Sequence, residues 1–141
     1  MSEPVRGVVV AHGSLAQGLV SSVLAISGVD GEALVPLTNE GCGPEALQER
    51  VMAALGDEGP AIVFTDMGSG SCAFTARRIG LQRPGTGIVT GVNLPVLLDF
   101  VFHREMPLPE LVERLVEKGR GGITGAHREA AAHADRAVQG R

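Results

Sequence analysis

The 141-residue chain contains no tryptophan, no tyrosine and only two cysteines, and its formal net charge is −4 at pH 7. An acidic balance excludes a nucleic-acid surface, which needs a basic face to meet phosphates. No basic, aromatic-rich amphipathic stretch is present to lie on a membrane. Nothing in the sequence approaches the roughly 20 apolar residues of a membrane span. Cys42 and Cys72 are too few and too poorly spaced for a disulfide framework or a zinc knuckle. They read as reduced thiols of a cytosolic protein. The opening MSEPVRG has no apolar segment behind a basic start, so no signal peptide and a cytoplasmic location are expected.

What is abundant is glycine. Twenty of them imply many tight turns and several close approaches of backbone. The length suits one domain able to bury its own core. Along the chain, apolar runs alternate with helical patterns. Gly7–Ala11 (GVVVA) reads as a strand buried on both faces. Ser14 and Gln17 fit a capping box opening a helix, which Gly28 can stop. ALVPL (33–37) is a second strand, and its proline places it at a sheet edge. GPEALQERVMAAL (43–55) follows as a helix with an early proline, then AIVFTD (61–66) as a third strand. A helix over 72–81, a strand over 86–92, a helix 94–105 capped by Asn93, and an amphipathic helix 108–119 complete the pattern. GGITGA (121–126) reads as a last short extended piece, and 127–141 as a frayed helix or disordered tail. The expected fold is α/β, a doubly wound, mostly parallel sheet with helices on both faces. No second domain is expected beyond residues 1–126.

In such sheets ligands bind outside the carboxyl ends of the strands, where strand order reverses. His12 lies just past the first strand and Asp66 just past the third. With the common order 2-1-3-4 these two strands are neighbours, so the pair meets across one inter-strand gap of about 4.8 Å. A carboxylate beside an imidazole accepts one ring N–H and leaves the other nitrogen as a nucleophile. Gly13 and Ser14 open a helix whose free amides favour an anion, and Gly68-Ser69-Gly70-Ser71 offers amides and hydroxyls in a flexible loop. That set points to phosphoryl transfer through a phosphohistidine. The glycine-rich loop alone is a weak signal, lacking the lysine of a Walker motif and the spacing of a hydrolase elbow.

The stretches GVVVAHGSLAQGLVSSVLAISG, IVFTDMGSGS and above all TGVNLPVLLD resemble the mannose/fructose-type enzyme IIA of the bacterial sugar phosphotransferase system, from about Gly7 to Ala126. The resemblance implies that His12 takes a phosphoryl group from the phosphocarrier protein HPr and passes it to a IIB component, here a separate chain. It implies that Asp66 holds the ring nitrogen facing away from the phosphoryl group, and that Ser71 contacts that group. It implies a homodimer in which GGITGA is an antiparallel strand exchanged between subunits. No metal, nucleotide or other cofactor is expected for this transfer. One departure stands out: Ser69-Gly70-Ser71-Cys72-Ala73 replaces the family's Gly-Gly-Ser-Pro-Phe. DMGS looks more like the phosphoryl-carrying subunit of dihydroxyacetone kinase, which makes that acceptor, or a phosphorylation-dependent regulatory role, the alternative. VVVAHGS also resembles the small cobalt chelatases, a lower-ranked alternative for which only His103 offers a second ligand. Elsewhere, His103 reads as a half-exposed helix residue, and His127 and His133 as solvated. Asp99 and Glu105 read as surface charge, Arg77 and Arg78 as a solvated helix face or a docking aid, and Thr65 as packed or hydrogen-bonded in its strand.

Overall fold

The computed structural model describes residues 3–128. Four strands, β1 (Arg6–Ala11), β2 (Leu34–Thr38), β3 (Ala61–Thr65) and β4 (Thr86–Val89), form one sheet. Its order is β2-β1-β3-β4 and every pairing is parallel. The helices are α1 (Leu15–Ser27), α2 (Pro44–Leu55), α3 (Ser71–Gln82), α4 (Leu94–Phe102) and α5 (Leu108–Gly121). This is the doubly wound α/β arrangement and strand order that the sequence pattern predicts.

Side-chain alternation along β1 explains the two layers. Val9 and Ala11 face a cluster built with Val20 and Val23 of α1, Leu97 and Phe100 of α4, and Leu111 and Leu115 of α5. Val8 and Val10 face the opposite cluster, with Leu47, Val51 and Leu55 of α2 and Ala76 and Ile79 of α3. Residues 8–11 are fully buried, as a central strand covered on both faces requires. Gly7 makes room for an aromatic: a Cβ there would lie 2.6 Å from Phe100 Cε2 and 2.8 Å from Leu34 Cδ1. Phe100 in turn meets Phe64 edge-on, with ring centroids 5.0 Å apart. Pro36 sits on β2, an edge strand, where its missing N–H interrupts no ladder on the open side.

Several expectations change. Ser14 precedes α1 but its side chain caps nothing, so the capping box does not form; Leu15 N–H is taken instead by the His12 carbonyl at 3.2 Å. α4 stops at Phe102 rather than 105 because His103 ends it, its ring Nδ1 donating to the Asp99 carbonyl at 2.7 Å. Asp99 is not surface charge. It is buried, and Arg114 binds it through two hydrogen bonds of 2.7 and 3.0 Å. Burial pushes its carboxyl up, but the Arg114 hydrogen bond and the charges of His103, Arg114 and Lys118 outweigh that and hold it below the usual range. Residues 123–127 form no strand in the single chain: α5 runs on to Gly121, and the Gly122 N–H closes it on Lys118 and Gly119 carbonyls. Of the expected tail, residues 129–141 lie outside the described residues.

Candidate functional site

β1 and β3 end side by side, with Val10 opposite Thr65, so the next residues of each chain segment meet at the carboxyl edge. Asp66 Oδ2 accepts two hydrogen bonds from His12, one from its backbone N–H at 3.0 Å and one from ring Nδ1 at 2.9 Å. A single carboxylate oxygen thus fixes both the strand end and the ring that hangs from it. Thr65, buried in β3, donates its hydroxyl to the Met67 carbonyl at 2.8 Å and so shapes the turn that presents Asp66. The His12 side chain is 43% exposed and that of Asp66 only 9%. Burial raises the Asp66 carboxyl, while the hydrogen bonds from the His12 amide and ring and the charge of that ring outweigh it and leave it lowered. Asp66 is therefore the ionised partner near neutral pH, and Nδ1 carries the proton it accepts. Nε2 is left facing away from the carboxylate.

The loop after Asp66 closes over that free edge. Gly70 adopts φ +91°, a region L side chains rarely enter, and a Cβ there would lie 3.7 Å from Cε1 and 3.8 Å from Nε2 of His12. Ser71 begins α3, so the unpaired first-turn N–H groups and the positive end of the helix dipole lie beside the imidazole. Arg77, from the same helix, donates to the Gly68 carbonyl at 2.8 Å and anchors the loop. Ser69 lies exposed in it. On the other side Gly13, at φ +58°, turns the chain from β1 into Ser14 and α1. The sequence-predicted residues therefore gather at one end of the sheet. His103 does not: it pairs with Asp99 on α4, away from His12.

Two residues escaped the sequence reading. Asn39 donates its side-chain amide to Ser71 Oγ at 3.2 Å, and its backbone N–H to the Ala11 carbonyl. It stands one residue past β2, the same strand-end position that singles out His12 and Asp66, so the signal was present. Cys72, fully buried, brings Sγ to 4.0 Å from His12 Nδ1. Only the helical turn from Ser71 explains that approach, and no spacing in the sequence announces it.

Residues 7–116 match the family model described as the PTS system fructose IIA component. Among solved structures, phosphotransferase system component EIIA from Streptococcus agalactiae is similar, with TM-score 0.79 and 22% identity over 86% of this chain and 96% of that one. The mannose/sorbose-specific IIA subunit from Enterococcus faecalis aligns at TM-score 0.75 and 22% identity, covering 89% and 96% of the two chains. The PTS IIA protein associated with the fucose utilization operon of Streptococcus pneumoniae gives 0.72 and 21%, over 89% and 96%. No curated protein matches the sequence. With most of its length matched by that model, on the fold those structures share, the chain belongs to the mannose/fructose-type IIA family, the phosphotransfer components of the sugar phosphotransferase system.

Proposed function

We propose that His12 carries a phosphoryl group on Nε2, received from phospho-HPr and passed to a IIB component. The observation that carries this reading is the bond of 2.9 Å between Nδ1 and Asp66 Oδ2. It supports a tautomer with the ring proton on the inner nitrogen and the lone pair on the outer one. In the transfer, the Nε2 pair attacks phosphorus as the donor's N–P bond breaks in line, its electrons returning to the donor imidazole. Positive charge grows on the His12 ring, and the Asp66 carboxylate stabilises it through the shared proton. Phosphoryl oxygens are met by the first-turn amides of α3 and by Ser71, whose hydroxyl Asn39 orients. Gly13 and Ser14 supply the start of α1 on the opposite side. Nothing in this step asks for a metal or nucleotide.

A ring 43% exposed suits a donor that is itself a protein side chain. Another protein's phosphoimidazole has to reach Nε2 within van der Waals range, which a deep pocket would forbid. Such a carrier works in the cytoplasm beside its partners. We propose also that the chain is a homodimer joined by exchange of 121–126. Among the described residues β4 pairs only with β3, leaving an edge to cover, and Ile123 is 76% exposed in the single chain. The test of the central claim is direct: incubate the protein with ³²P-labelled phospho-HPr and look for an acid-labile phosphohistidine. His12→Gln should accept no label; undiminished acid-labile label on that variant overturns the reading.

A further inference from the structure

The inner edge of the His12 ring faces more than Asp66. One ring nitrogen of His12, a carboxylate oxygen of Asp66 and Sγ of Cys72 all lie within 4.8 Å of one another. From Nδ1 the distances are 2.9 Å to Asp66 Oδ2 and 4.0 Å to Cys72 Sγ. Ligands around a tetrahedral zinc ion, at 2.0–2.3 Å from the metal, stand roughly 3.3–3.7 Å apart. The 4.8 Å bound on the widest separation exceeds that spacing by about 1 Å, a gap that small side-chain rotations would close. A second observation points the same way. Asp66 Oδ1 is buried and has no hydrogen-bond partner among the described residues, although its side chain is 9% exposed. A buried carboxylate oxygen without a donor is costly. Cys72 also packs in the core beneath α3, but packing alone leaves that oxygen unanswered, whereas a cation that the Asp66 carboxylate held through both of its oxygens would satisfy it.

We infer that His12, Asp66 and Cys72 form a binding site for a borderline-soft divalent cation of the zinc or cobalt(II) class, and that its occupancy and phosphorylation of His12 exclude each other. The donor set selects the metal class: nitrogen and sulfur beside one carboxylate suit zinc and cobalt, and hard cations such as magnesium prefer oxygen alone. Exclusion follows from proton bookkeeping, on the reading of Nε2 as the phosphoryl acceptor. A neutral imidazole has one N–H. Metal on Nδ1 displaces the proton that Asp66 holds there, the ring proton relocates through solvent to Nε2, and the lone pair needed for attack is gone. The Cys72 thiol proton is released to solvent on binding. A phosphoryl group on Nε2 conversely keeps the proton on Nδ1 and closes the metal position.

The experiment titrates the metal-free full-length chain with cobalt(II) alone and then repeats the phospho-HPr labelling with and without zinc. One equivalent of cobalt should bind with a near-ultraviolet thiolate-to-metal charge-transfer band. Cys42→Ser should keep that band; Cys72→Ser and Cys72→Ala should lose it and bind at least about tenfold more weakly, the loss typical of even an outer-shell partner. Absence of binding, or a band that survives both Cys72 variants, overturns the site. A readout without substitution is the ring ¹⁵N spectrum, in which saturating zinc should move the His12 proton from Nδ1 to Nε2; an unchanged tautomer also overturns it. Labelling of the wild-type chain should fall in step with zinc occupancy and return on chelation, while Cys72→Ser should need at least about tenfold more zinc for the same fall. Zinc-loaded protein labelled at the metal-free rate refutes exclusion. A metal-free chain that takes no label refutes the carrier reading instead, and the cobalt spectrum then judges the site by itself.

Discussion

Replacing Asp66 by asparagine separates two roles that one oxygen performs. Because Oδ2 accepts from both the His12 amide and Nδ1, an asparagine carbonyl in its place accepts the same two bonds. The backbone N–H selects that orientation, since the flipped amide would set two donors against each other. Asp66→Asn therefore keeps the ring's position and tautomer and removes only the negative charge. Two unit charges at the observed 2.9 Å interact by about 1.4 kcal/mol in bulk water and about 6 kcal/mol at an effective dielectric constant of ~20. The ring is part-exposed and acquires only a fraction of a charge in the transition state, so the loss lies near 2 kcal/mol, roughly a 30-fold slower transfer. Asp66→Ala loses the acceptor as well, leaves the part-buried His12 amide without that bond, and should be slower still. Rapid-quench labelling by phospho-HPr measures both rates, and ring ¹⁵N shifts check the tautomer. Wild-type speed in Asp66→Asn, or Asp66→Ala no slower than Asp66→Asn, would refute this division of labour.

Other expectations rest on packing and charge. Gly7→Ala forces a methyl into the Phe100 ring at 2.6 Å and should destabilise the fold by about 1–3 kcal/mol, read from urea denaturation; an unchanged midpoint contradicts the packing described. Gly70→Val puts a β-branched residue at φ +91° and against the Nε2 edge, so label uptake should drop even where the circular dichroism spectrum is native. Native uptake would show that the loop does not border the phosphoryl position. Asp99 has a carboxyl held below its ordinary value of 3.8, so its contribution is present above that pH and is lost as pH falls through the lower, folded value. Asp99→Asn should flatten the acid limb of a Tm-against-pH curve below about 4, and an unaltered limb would rule the ion pair out as its source.

The sheet was legible because its central strands are near-continuous β-branched or apolar runs, VVVA and AIVF, which only burial on both faces accommodates. His12 and Asp66 were legible because position at a strand's carboxyl end is a property of sequence once the strands are known. Asp99 was not: its neighbours in sequence do not include Arg114, and only the packing of α5 on α4 supplies the cation that permits a buried carboxylate. Cys72 was missed for a related reason. A lone cysteine at the start of a helix looks the same whether it points to solvent or, as here, toward an imidazole from another strand. The C-terminal strand expected over 121–126 does not form within the single chain, where α5 takes up Gly121; a short segment becomes a strand only against a neighbouring strand, which in this reading a second subunit supplies.

The doubly bonded oxygen at the end of β3 has one more implication. It welds the aim of the imidazole to the seam between the two innermost strands, the last part of such a sheet to come apart. Mild destabilisation elsewhere, even melting of an outer helix, leaves the ring pointing where it pointed before. The aim of the ring should thus share the fate of the whole domain and vanish with it, with no earlier stage at which the two central strands hold together and the imidazole is misdirected.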